Sequence, residues 1–311
     1  MLARGSRVAQ SFELIACLAA ALWLHAARGW GPGAMAALVI GWVAGSRLAL
    51  VAASSLVAWV WRTPRLPEQR IGLLGGAELF LREYRAFLAF NLGHLPWEAL
   101  LLRPDPAPVP TQRVPVLLVH GYFANRGYFR ALVRRLEARG VGPIFAPNFR
   151  SWLAPIETFA DELHAELERI AAGTGQPRAV VIAHSMGGLA ARACIARHGP
   201  GRIARLITVG SPHHGTVLAT MAVGRNARQM EPGSAFLAAL EAAEASAGGR
   251  VETLSVWTPH DNLVAPQASS RLSWARNVAV PGYGHIGLVE SRALVEVLVP
   301  ELESAGVKVA P

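Results

Sequence analysis

The hydrophobic pattern divides the chain into three regions. Residues 8–27, VAQSFELIACLAAALWLHAA, and 34–61, AMAALVIGWVAGSRLALVAASSLVAWVW, are strongly apolar and separated by the turn RGWGPG. About 20 apolar residues suffice to cross the hydrocarbon core of a bilayer, so the pattern predicts a membrane-anchoring helical hairpin over residues 1–62. Trp23, Trp30, Trp42, Trp59 and Trp61 fall at or near the segment ends, as an interfacial belt does. From residue 77 the period changes. AELFLREYRAFLAFN places Phe80, Tyr84, Phe87 and Leu88 on one helical face and Glu78, Arg82 and Arg85 on the other. Such a helix suits a bilayer surface or the cover of a soluble core, and the sequence leaves both open. RPDPAPVPTQR, residues 103–113, is a proline-rich connector, so residues 63–112 read as an amphipathic helix and linker. Beyond it, over 113–311, short apolar runs alternate with helical stretches: VPVLLVH, AVVIAHS, IARLITVGS, VETLSVWTP and NVAVPG are the runs. Strands apolar on both faces, alternating with helices, imply an α/β fold with a mostly parallel, doubly wound sheet.

Charge refines the membrane reading. Arg4 and Arg7 precede the first span and Arg62, Arg65 and Arg70 follow the second, while Arg28 alone sits in the turn. The positive-inside rule then puts both ends on the cytoplasmic side, as for a bacterial inner-membrane protein. A secretory leader competes for the first stretch, on the strength of Arg4, Arg7 and the alanines at 26 and 27, but the second stretch would still remain as an anchor. Arg47 is the discordant residue. A guanidinium near the centre of a span costs about 2.5–3.5 kcal/mol, and the expectation is a broken or re-entrant second helix. Gly41 and Gly45 form a GxxxG, which permits close helix contact and also arises by chance in so small-residue-rich a stretch.

Composition excludes more than it assigns. The formal net charge of +9 raises nucleic acid as a partner, but the arginines are scattered and no zinc-ligand spacing or RNA-binding aromatic strand accompanies them. Nucleic acid is therefore not expected. Cys17 and Cys194 make no disulfide framework. No convincing acidic pair for a metal is present, and the oligomeric state is not encoded legibly.

The chemistry concentrates in VVIAHSMGGLAARACI, residues 180–195. A buried strand meets a helix through HSMG alone, so Ser185 must sit at a sharp, strained corner above the strand's carboxyl end. Ala183 and Gly187 flank it two residues away on either side, and Gly188 lets helix and strand approach. A serine hydroxyl needs a base, and the base an orienting carboxylate. Asp261 in VWTPHDNLVAP and His285 in VAVPGYGHIGLVES each follow an apolar strand and supply them. VLLVHGYFANRGYF ends a further strand in His120 and Gly121. The free amide of Tyr122, with that of Met186, would form an oxyanion hole. Asp161, Glu157, Glu162, Glu166 and His164 read as a solvated helix face, His184 as a packing residue beside the elbow, His260 as a loop residue and His198 as a helix end.

The segments PVLLVHGYFANRGYF, VVIAHSMGGLAARACI, LITVGSPHHGT and RNVAVPGYGHIGLVES resemble bacterial triacylglycerol lipases and esterases of the α/β-hydrolase family, over roughly Val114 to the end of the chain. The alanine in AHSMGG matches the compact Bacillus-type lipases. The resemblance implies Ser185 as nucleophile, His285 as base, Asp261 as its orienter, hydrolysis of a carboxylic ester through an acyl-enzyme, and no cofactor. Lipid or another acyl ester is then the expected substrate, and the bilayer a partner. An acyltransferase or thioesterase would use the same triad, and a non-catalytic lipid-binding or tethering module would keep the fold without the chemistry. Residues 216–240 correspond to the segment after PHHGT in lid-bearing lipases and read either as a mobile lid or as a fixed helical insert.

Overall fold

The computed structural model describes residues 1–149, 152–246 and 250–310. Two long helices come first, α1 (Leu2–Arg28) and α2 (Pro32–Val60), antiparallel and joined by a tight turn in which Gly29 adopts φ 69°. Each is about 40 Å long at 1.5 Å per residue, and both are long and apolar enough to cross a membrane. Contrary to the expectation from Arg47, α2 is an unbroken helix. The reason is a partner: Arg47 Nη2 donates to Glu13 Oε2 of α1 at 2.6 Å, Nη1 pairs with the other oxygen, and Nε donates to Asn91 Oδ1 at 3.1 Å. A guanidinium satisfied on every side does not require the helix to open.

Helix α3 (Leu73–Leu88) widens into a π turn over Ala89–His94 and is followed by the single turn α4 (Glu98–Leu101). Helix α3 packs between α2 and the C-terminal region, burying Glu83 and Ala86 while Leu73 and Leu74 face outward.

The remaining chain is β1 (Val116–Val119), α5 (Arg130–Ala138), β2 (Ile144–Phe145), α6 (Ile156–Thr174), β3 (Ala179–His184), α7 (Met186–His198), β4 (Ile203–Val209), α8 (Arg225–Gln229), α9 (Ala235–Ser246), β5 (Thr253–Trp257), β6 (Arg276–Ala279), α10 (His285–Val289) and α11 (Arg292–Ser304). The six strands form one sheet in the order β2-β1-β3-β4-β5-β6, and every pairing is parallel. Alternating strand residues feed two cores. Val116, Leu118, Val180 and Ile182 pack under α5 and α11, and Leu117, Val119, Val181 and Ala183 under α6 and α7. After β1 the chain steps outward to β2 and then returns past β1 to β3. The crevice beyond the carboxyl ends of β1 and β3 is thus the topological switch point, where open parallel sheets place ligands. Segment 216–240 folds as a 3-10 turn (Val217–Met221), α8 and the start of α9.

Candidate active site

Ser185 stands at the carboxyl end of β3 with φ 57° and ψ −129°, as the residue capping α7. Its amide donates to Val209 O on β4 at 2.9 Å, which fixes the corner to the neighbouring strand. The close packing behind it explains the small residues. A Cβ on Gly187 would lie 2.6 Å from Val119 O, and one on Gly188 would lie 2.1 Å from Ser211 Oγ. Gly121, on the loop after β1, faces the serine: a Cβ there would lie 2.7 Å from Ser185 Cβ and 3.2 Å from the Met186 amide nitrogen. The loop backbone therefore passes directly beside Ser185. Among the described residues neither the Tyr122 nor the Met186 amide finds an acceptor, which leaves both free for an anionic oxygen.

His120 supports this loop from beneath. It is buried, its Nδ1 lies 3.1 Å from Gly121 O, and its Nε2 accepts from the Phe149 amide at 3.3 Å. Burial pulls its pKa down to about 4, so it is neutral at physiological pH and serves as a brace. His184, beside the serine, is likewise buried and held neutral by burial. Its ring contacts those of Tyr128 and His285, with centroids 4.7 and 4.6 Å away.

Asp261 and His285 arrive from the loops after β5 and β6. His285 Nδ1 lies 2.8 Å from Asp261 Oδ2, and both side chains are almost fully buried. Asp261 Oδ1 accepts the amides of Leu263 and Val264 at 2.8 and 2.7 Å, which locks the carboxylate. The His285 amide donates to Asn262 Oδ1 at 3.0 Å. Gly210, φ 56° at the end of β4, makes room for the pair: a Cβ there would lie 3.3 Å from both Asp261 Oδ2 and His285 Nδ1. Burial pulls the His285 pKa down. The Asp261 carboxylate, through charge and hydrogen bond, and Glu83 behind it more than reverse that, so the imidazole is a stronger base than an ordinary histidine. Ser185 Oγ forms no hydrogen bond with a described residue. The structure thus brings the Asp261–His285 pair into contact, and the His285 ring lies against that of His184, the residue before Ser185.

The remaining sequence candidates lie elsewhere. Asp161 pairs at the surface with Arg197 and His198, and Glu166 pairs with Arg169. His260 is buried in its loop, where its Nδ1 accepts the Gly282 amide at 3.1 Å, and burial holds its pKa near 4. Among the described residues no cluster of three potential metal ligands occurs. Two site residues escape a reading of the pattern. Asn262 holds the His285 amide and also donates to Ser54 Oγ of α2 at 3.2 Å. Glu83 of α3 accepts the amides of Ile286 and Gly287. Glu83 had one visible signal, an acidic residue on the apolar face that carries Phe80 and Phe87.

Comparison with known proteins agrees with this architecture. The family model described as the alpha/beta hydrolase family matches residues 116–302. A triacylglycerol lipase of Pseudomonas fragi is 33% identical over 112 residues, 34% of this chain and 37% of that lipase. One of Pseudarthrobacter phenanthrenivorans is 28% identical over 196 residues, 59% of this chain and 60% of that lipase. The chain therefore spans less than two thirds of these relatives. The crystal structure of the mature lipase BlEst2 of Bacillus licheniformis superimposes with a TM-score of 0.56 at 15% identity, covering 64% of this chain and 96% of that one. Lipase B of Aspergillus fumigatus gives 0.54 at 18% identity, covering 66% and 56%. At such identities these structures speak to the fold alone.

Proposed function

The chain belongs to the alpha/beta hydrolase family, and from that premise we propose that it is a membrane-anchored serine carboxylic ester hydrolase of lipase or esterase type. The observation that carries the reading is the 2.8 Å contact of His285 with Asp261, at the same sheet edge as a serine held at φ 57°. In the proposed reaction Ser185 Oγ passes its proton to His285 Nε2 and attacks the ester carbonyl carbon. The amides of Tyr122 and Met186 receive the oxyanion. Collapse expels the alcohol, protonated by the imidazolium, and leaves an acyl-serine. Water, deprotonated by the same imidazole, then releases the acid. Asp261 keeps the proton of Nδ1 in place and offsets the imidazolium charge.

Residues 1–62 would hold the enzyme at a bilayer, residues 63–112 link the anchor to the catalytic region, and residues 113–311 carry the chemistry. Exposed Phe12, Ile15, Trp23, Ile40, Trp42 and Trp59 on α1 and α2 support lipid contact. The arginines at 4, 7, 62, 65 and 70 support an orientation with both ends cytoplasmic. The test is hydrolysis of p-nitrophenyl esters of increasing acyl length, with and without detergent micelles. Turnover that rises with chain length and with micelles is expected. Turnover restricted to short soluble esters would remove the lipid from the proposal, and none at all would remove the reaction.

A further inference from the structure

Glu83 is a buried carboxylate 3% exposed, and among the described residues it has no cationic partner in ion-pair contact. Burying such a group costs several kcal/mol unless hydrogen bonds compensate. Its oxygens are divided between two amides, Ile286 N to Oε1 at 2.8 Å and Gly287 N to Oε2 at 2.9 Å. Those are the two residues that follow His285. The fit is tight: a Cβ on Gly284 would lie 2.4 Å from the carboxyl carbon, so the residue before the histidine leaves room for the carboxylate only by being glycine. The helix that delivers Glu83 is tied to the hairpin by Tyr84, whose hydroxyl donates to Ala44 O of α2 at 2.8 Å.

We propose that Glu83 is a positioning residue for His285: its carboxylate, carried by α3, clamps the first turn of α10 and so fixes the height and rotation of the imidazole, and its charge favours the imidazolium formed during ester cleavage. This rests on the reading of Ser185 and His285 given above and extends it to a residue outside the family-matched segment. Three titratable groups face Glu83 from the packed elements, namely His285, Asp261 and the Tyr128 phenol. Arg65 and His260 line the approximately 450 Å³ cavity between α2 and α3 that Glu83 borders, and on α3 itself Arg82 pairs with Glu78. Burial pushes Glu83 up to about 7, while the two amides and His285 oppose that rise.

The test compares full-length wild type, Glu83→Gln and Gly284→Ala in detergent, reading kcat and KM for a short soluble ester across pH. Loss of the charge and of one good acceptor should lower kcat about tenfold with KM little changed. It should also move the acid limb of kcat/KM to lower pH, because Glu83 still carries part of its negative charge near pH 7 and its removal weakens the base. A purely structural role would not move that limb. Gly284→Ala displaces the carboxylate while leaving residue 83 intact and should also lower kcat, so the test survives if Glu83→Gln does not fold. An active wild type with a folded Glu83→Gln of unchanged kcat and unchanged acid limb would overturn the clamp alone, as would a fully active Gly284→Ala. A wild type inert toward esters would overturn the function reading with it.

Discussion

The two halves of the site are placed in different ways. Ser185 is positioned by chain that is near in sequence or in the sheet: β3, α7, the Val209 carbonyl and the Gly121 loop. His285 draws in addition on chain outside the sheet region: Asp261 and Asn262 lie on the loop after β5, Asn262 reaches back to Ser54 of α2, and Glu83 of α3 lies about 200 residues upstream. The strand, corner and helix around Ser185 are consecutive in the chain and are braced by neighbouring strands, whereas the His285 turn is also held by α2 and α3 of the N-terminal region. The N-terminal helices act on both levels, as apolar surface and as part of the wall behind the histidine.

The largest break in that comparison is removal of the hydroxyl. Ser185→Ala should lower turnover by about four orders of magnitude or more without loss of stability. Ser185→Gly should be equally inactive and melt higher, since glycine releases about 1–2 kcal/mol of positive-φ strain. Esterase rates and thermal melts read both. Next come the N-terminal helices. Arg47→Ala should destabilise the chain by about 1–3 kcal/mol, because Glu13 and Asn91 lose the buried guanidinium they pair with, whereas Arg47→Met with Glu13→Gln should recover most of it. Denaturation in detergent measures the difference. Gly121→Ala strikes the local half: a methyl 2.7 Å from Ser185 Cβ forces the loop outward. Loss of the oxyanion amide should then cost about a hundredfold or more in kcat.

Asn262→Ala strikes the distant half and leaves the His285 amide buried without an acceptor. About 1–3 kcal/mol of stability should go, with a smaller fall in kcat and an intact elbow, as read by melting and kinetics. The last effect is confined to acid pH. The folded pKa of His120 is depressed to about 4 from 6.5, so its contribution is complete above pH 6.5 and is lost as pH falls toward 4. His120→Gln should flatten the acid side of the stability curve by about 1–3 kcal/mol relative to wild type.

What the sequence made legible follows the same division. The strand, corner and helix around Ser185 are written in consecutive residues, as are β1 with its Gly121 turn and the long apolar runs of α1 and α2. Asp261 and His285 stand out because each follows a strand at the correct sheet edge. β2 does not, because Ile144 and Phe145 are too few to show a period. The continuity of α2 depends on Glu13, 34 residues from Arg47 and invisible to any local window. Glu83 and Asn262 are hidden for a similar reason: their partners are backbone amides or residues on remote elements, and a backbone amide carries no sequence signature.

In the proposed function Ser185 is an activated nucleophile served by His285. Reaction of the full-length protein in detergent with a fluorophosphonate, followed by peptide mapping, tests it most directly. A single adduct on Ser185 is expected, lost in Ser185→Ala and strongly slowed in His285→Ala. Absence of labelling in a folded, detergent-solubilised protein, or an adduct on another residue, would contradict it.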